Sequence, residues 1–76
     1  MQIIKKEITS DFRLEITVYH KGKTYLREVA GLLYWFVKDN DIWNHIKGEE
    51  RYILEKEFNA TELALNRQKK LERIIK

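Results

Sequence analysis

The sequence predicts an α+β fold: a three-stranded antiparallel meander, a helical middle segment, a fourth strand, and a C-terminal amphipathic helix packed on the sheet. Three observations carry this expectation. Phe12, Leu14, Ile16 and Val18 alternate with Arg13, Glu15, Thr17 and Tyr19, the two-residue period of a half-buried strand. Gly22 stands in a short polar break, His20 to Lys23, between that run and the next, where a residue able to take positive φ closes a hairpin. From Asn59 onward, Ala60, Leu63, Ala64, Leu71, Ile74 and Ile75 recur at helical spacing, which makes one apolar stripe.

The first strand is expected over residues 2–9, with Ile4 and Ile8 on one face, and Ser10-Asp11 turns the chain into the second strand at Phe12. Thr24 to Val29 forms the return strand of the hairpin. Two registers are open. A two-residue turn pairs Val18 with Tyr25 but sets Arg27 opposite Ile16, and a three-residue bulged loop pairs Ile16 with Leu26 but sets Glu28 opposite Leu14. Leu32 to Val37 is apolar on every side, so periodicity does not separate helix from strand. Helix is preferred, because Asp41 is a good N-cap for a short second helix (Ile42, Trp43, Ile46) that Gly48 would close. Such a corner resembles a DNA-reading helix pair only in outline, since its second helix begins beside aspartates and presents core-type Trp43 and Ile46. Arg51 to Phe58 reads as a fourth strand or as the front of one long helix. Wound as a helix, Phe58 points away from the later stripe, which favours a break with Asn59 as N-cap and Glu62 completing a capping box.

A chain of 76 residues has room for one domain, 1–76, and one modest core. With 43% hydrophobic and 36% charged residues it is expected to be globular, because a disordered chain lacks so many large apolar side chains. There is no cysteine, which removes disulfides, thiolate metal sites and thiol catalysis and fits a reducing compartment. Cytoplasmic location is expected, because the N-terminus meets charge at Lys5 and the longest apolar run is far short of the ~20 residues that span a bilayer.

Few residues suggest chemistry. His20 and His45 lack an evident partner, and Ser10, the single serine, sits without a glycine-rich elbow, so hydrolytic catalysis has no support. Asp39, Asn40, Asp41 and Glu50 mimic the ends of a calcium loop, but Trp43 and Asn44 fill the positions that need a ligand and a glycine. No glycine-rich phosphate loop is present. The chain is therefore expected to be no enzyme and to hold no cofactor or metal.

Charge is uneven. The net charge of +3 resides in residues 59–76, where Arg67, Lys69, Lys70, Arg73 and Lys76 face only Glu62 and Glu72. Lys69, Arg73 and Lys76 would form a ridge opposite Leu71, Ile74 and Ile75, joined by Lys21 and Lys23 of the hairpin if both lie on one face. That ridge would contact nucleic-acid phosphates; alternatively its cations are a solvated face that complements the negative end of the helix dipole. Arg67 interrupts the apolar stripe, either snorkelling to water or fixing the register of an interface. Trp35, Trp43 and Tyr25 are core fillers or interface anchors. Two tryptophans, four tyrosines and three phenylalanines exceed what so small a core needs. The leading expectation is a non-enzymatic protein-interaction module: a small regulator or inhibitor, of a size that phages and mobile elements encode, binding a protein partner or itself as a homodimer. The alternative is a small nucleic-acid-binding domain using the basic C-terminal helix.

Overall fold

The computed structural model describes the backbone of residues 1–75 and the side chains of residues 1–68. The α+β class holds: five antiparallel strands in sequential order form one sheet, followed by one long helix. The strands are β1 (Gln2–Ile8), β2 (Leu14–His20), β3 (Lys23–Ala30), β4 (Leu32–Asp39) and β5 (Ile42–Ile46), and the helix is α1 (Glu49–Ile75).

Turn chemistry sets the registers. Lys21 and Gly22 both take positive φ, at 50° and 80°, as a two-residue type I′ turn requires, and this turn matches the twist of its strands. Val18 accordingly pairs with Tyr25 and Ile16 with Arg27. The second tight turn is Asn40-Asp41, again positive in φ at both positions, which joins β4 to β5 with Asp39 opposite Ile42. Asp41 is therefore a turn residue and not a helix cap, and Ile42 to Ile46 is a strand. Between β1 and β2, Thr9 accepts a backbone hydrogen bond from Phe12, whose φ is 61°. Phe12 thus leaves the strand that alternation assigned it to, and its side chain is 87% exposed. A bulge at Ile4, between the pairs Ile3–Val18 and Lys5–Thr17, shifts the parity of β1 so that Ile3, and not Ile4, packs on the core.

The expected helical middle is β4. Leu33, Trp35 and Val37 point to α1, whereas Tyr34 and Phe36 point to the other face. A strand apolar on both faces loses the alternation that would have identified it.

Gly48, with φ +71°, reverses the chain after β5, and its carbonyl accepts from Tyr52 N–H at 3.3 Å, opening α1. Glu49 and Glu50 occupy the first turn, where the dipole favours anions. The helix runs unbroken through Arg51–Phe58 and Asn59, so neither the fourth strand expected there nor the Asn59 cap occurs. Glu62 bonds Lys6 of edge strand β1 at 3.0 Å. From Glu49 to Glu62 the helix advances ~20 Å, about four strand spacings, so it crosses the whole sheet in that distance. Leu63 to Gln68 are all exposed, so the remaining length of α1 runs past the β1 edge.

The core lies between sheet and helix: Ile16, Val18, Tyr25, Trp35, Ile46, Leu54 and Phe58. Trp35 is fully buried and meets Tyr25 and Phe58 edge-on, at ring centroid distances of 6.4 and 6.0 Å. Burial of a side chain of this size contributes about 3 kcal/mol. Arg27 is tolerated opposite Ile16 because Glu55 of α1 accepts two hydrogen bonds from its guanidinium, at 2.9 and 2.7 Å, and a third from Trp35 Nε1 at 2.8 Å. The same guanidinium lies 4.4 Å from the Phe58 ring centroid.

Candidate interaction surface

Because α1 covers one face of the sheet, the registers fix what the other presents. Thr17, Leu26, Phe36 and His45 are aligned across β2 to β5, flanked on one side by Tyr19, Thr24, Lys38 and Trp43 and on the other by Glu15, Glu28 and Tyr34. Tyr34, Phe36 and His45 form a triangle with centroid distances of 6.5 Å (Tyr34–Phe36), 5.4 Å (Tyr34–His45) and 5.4 Å (Phe36–His45). Trp43 is 40% exposed, with Lys38 Nζ 5.9 Å from its ring centroid, and Tyr19 is 46% exposed. Among the described residues, no element covers this aromatic platform. Its rings are held by a paired backbone, so ordering them against a partner costs less entropy than ordering a loop.

One border of the platform is acidic. Glu7 pairs with Glu15 across β1–β2 and Glu15 with Glu28 across β2–β3, and like charges directly opposite destabilise a sheet. The outer two are relieved: Lys5 lies 3.2 Å from Glu7, and Arg13 donates to Glu28 at 2.9 Å. Glu15, between them, makes no ion pair among the described residues. At the hairpin end the Asp11 carboxyl is held below its usual range, first by the Thr9 hydroxyl and then by Arg13, which fixes Arg13 beside Glu28.

The residues singled out from sequence scatter. Trp35 and Tyr25 are buried in the core, so neither is an interface anchor; burial also raises the Tyr25 phenol pKa, assisted by Glu50 and Glu57. Trp43 does lie on the open face. Arg67 is exposed on the part of α1 beyond the sheet. Lys21 and Lys23 flank the β2–β3 turn, where Lys21 shares a groove of about 340 Å³ with Glu49, Glu50 and Glu57. Three carboxylates therefore stand beside the hairpin lysine proposed for phosphate contact. The side chains of Lys69, Arg73 and Lys76 lie outside the described residues.

Sequence reasoning missed two features. His20 has a partner, Glu57, whose carboxylate is 2.6 Å from Nε2 and ties the hairpin to α1. The aromatic triangle was also missed, because the long apolar run was read as a helix. Its signal was present in that run, as apolar residues at both parities of a strand. Among the described residues no cluster of three or more His, Cys, Asp or Glu is placed to hold a metal, and no helix is long and apolar enough to cross a membrane. Comparison with protein-family models, curated proteins and solved structures finds no match to this chain.

Proposed function

We infer that this chain is a non-enzymatic protein-interaction module, a small regulator or inhibitor that binds a protein partner through the open face of its sheet. The observation that carries the reading is the uncovered platform of Tyr34, Phe36, His45 and Trp43, since rigid aromatics on a flat surface are the residues that dominate protein interfaces. The acidic border specifies the partner's chemistry: an apolar patch flanked by a lysine or arginine that reaches Glu15. Such a cation would relieve the carboxylate row that weakens the free sheet.

Aromatics on an open sheet also suit the stacking of unpaired bases. Two observations favour protein instead. The carboxylates of Glu7, Glu15 and Glu28 border the platform, where phosphates would be repelled, and Lys21 lines one groove with Glu49, Glu50 and Glu57 of α1, which breaks a continuous basic footprint.

The test compares face variants of the tagged chain. Phe36→Asp and Trp43→Asp are expected to abolish stoichiometric capture of one defined protein from the source cell, while Leu63→Asp on α1 retains it. The captured protein must also bind the purified chain directly. Equal capture by all three variants, or salt-sensitive nucleic-acid binding lost in Phe36→Asp, contradicts the proposal.

A further inference from the structure

The two edges of the sheet differ in how they are defended. On β1 a bulge at Ile4 interrupts the ladder, Lys5, Lys6 and Glu7 place charge along it, and Glu62 of α1 holds Lys6. Bulges, lysines and a covering element are what keep an edge strand from pairing. The opposite edge, β5, carries no charge, proline or bulge. Nor does α1 close it off. The first turns of the helix lie over β3 and β4, where Glu49 and Glu50 share a groove with Tyr25, and Arg51 and Tyr52 share another with Leu32 to Tyr34. Ile42, on the helix side of β5, is accordingly 63% exposed.

Backbone pairing fixes which groups this edge offers. The Asn40-Asp41 turn has two residues, so its flanking pair, Asp39 and Ile42, exchanges hydrogen bonds. Alternation along an antiparallel ladder then directs the N–H and C=O of Ile42, Asn44 and Ile46 to β4, and those of Trp43 and His45 outward. A row of outward backbone donors and acceptors is satisfied by another extended strand.

We propose that this strand is β5 of a second copy, paired antiparallel about a two-fold axis at Asn44, so that two sheets join edge to edge. The register follows from the chain itself. Trp43 must meet an outward residue, and pairing it with His45 of the second copy uses both outward residues of each strand. A slip of two residues either way leaves a single such pair within the strands. The same register sets Ile42 against Ile46 and, at each end, Asp41 against Lys47. Asp41 is 95% exposed and 3.7 Å from Lys38, and Lys47 makes no ion pair among the described residues. The second copy supplies each with an opposite charge, and by symmetry each contact occurs twice. Because β1 is defended, each copy has one pairing edge, and the assembly closes at two copies instead of growing into a fibre. The area covered is on the order of 1,000 Å² in total, the range of a weak, reversible interface, so a dissociation constant on the order of 100 µM is expected. On the open face, Trp43 of each copy comes to lie beside His45 of the other, which extends the aromatic platform across both sheets without covering it. This dimer and the docking of a protein partner therefore succeed or fail separately.

Sedimentation velocity from about 5 µM to 1 mM should show a reversible monomer–dimer equilibrium. Over the same range, amide exchange at Trp43 and His45 should slow by about threefold or more while that at Lys6 on the β1 edge stays constant. Lys47→Glu and Asp41→Lys should each weaken the dimer by about threefold or more, and the double variant should return to within about twofold of the parent. Because the chain has no cysteine, Asn44→Cys should oxidise readily to a covalent dimer, since partners in a non-hydrogen-bonded pair stand ~4.5 Å apart between Cα atoms. Ile42→Cys should not, although Ile42 is 63% exposed, because the register parts the two copies of residue 42 by ~14 Å. Circular dichroism will show whether each variant keeps its fold; should Asp41→Lys disturb its turn, the two cysteine variants decide. A parent chain that stays monomeric to about 1 mM, a folded double charge variant as weak as its singles, or cross-linking of Ile42→Cys as fast as that of Asn44→Cys would overturn the proposal.

Discussion

Replacing Glu55 with leucine tests how the helix is fastened to the sheet. In the native chain Glu55 accepts two hydrogen bonds from Arg27 and one from Trp35, and the side chains of Arg27 and Glu55 are 15% and 22% exposed. Breaking a fully buried ion pair costs about 3–5 kcal/mol, chiefly by leaving one charge unpaired. Partial access of water to both groups lowers the expected loss to about 2–3 kcal/mol. A domain of this size has a total stability of about 4–11 kcal/mol, so urea unfolding followed by tryptophan fluorescence should shift its midpoint by about 1–2 M or more. Adding Arg27→Met removes the stranded charge and should recover at least about half of the loss, leaving the unpaired Trp35 N–H as the residual cost of about 1 kcal/mol. A single variant within about 0.5 kcal/mol of the parent, or a double variant with the two losses simply added, refutes the reasoning.

Acid dependence follows from the same site. The Arg27 hydrogen bonds hold the Glu55 carboxyl below its ordinary value of 4.5, against desolvation and with help from Trp35. A depressed carboxyl contributes stability that is full above its unfolded value and is lost as pH falls through the folded value. The parent should therefore lose stability on acidification below about pH 4.5, with a smaller loss in Glu55→Leu. Gly22→Ala should cost about 1 kcal/mol in thermal or urea unfolding, because φ is +80° there. Phe12→Gly should be neutral or stabilising by up to about 1 kcal/mol, since a bulky residue at φ 61° with 87% exposure has strain to lose and few contacts; a loss above about 1 kcal/mol would show that the ring packs on the protein. Val18→Ala, at a site with no solvent exposure, should cost about 2 kcal/mol through the cavity it leaves.

The sequence pattern held where one side of an element faces water and the other the core. Residues 14–18 of β2 alternate because their two faces differ in that way, and Gly22 marked its turn because positive φ is costly elsewhere. The pattern misled at β4, where Leu33, Trp35 and Val37 face α1 while Tyr34 and Phe36 face the open side, so no period-2 contrast survives. It misled again at α1. Phe58 does point away from Leu63 and Ala60, as the helical phase indicates, but two faces of one continuous helix, and not a break at Asn59, account for it. Arg27 made the native hairpin register look unfavourable, because Glu55, its partner 28 residues away, is invisible to local pairing. The candidate surface was legible only through Trp43 and the surplus of aromatics; Tyr34, Phe36 and His45 converge through strand register alone.

The most direct test of the open face as a protein-docking surface is photo-cross-linking in the source cell. A benzophenone amino acid placed at Phe36 is compared with one at Leu63 in the presence and absence of Glu15→Lys. A discrete protein adduct from position 36, lost when Glu15 is reversed, is the predicted result. Adducts to nucleic acid at position 36, or protein adducts indifferent to the charge of residue 15, would contradict it.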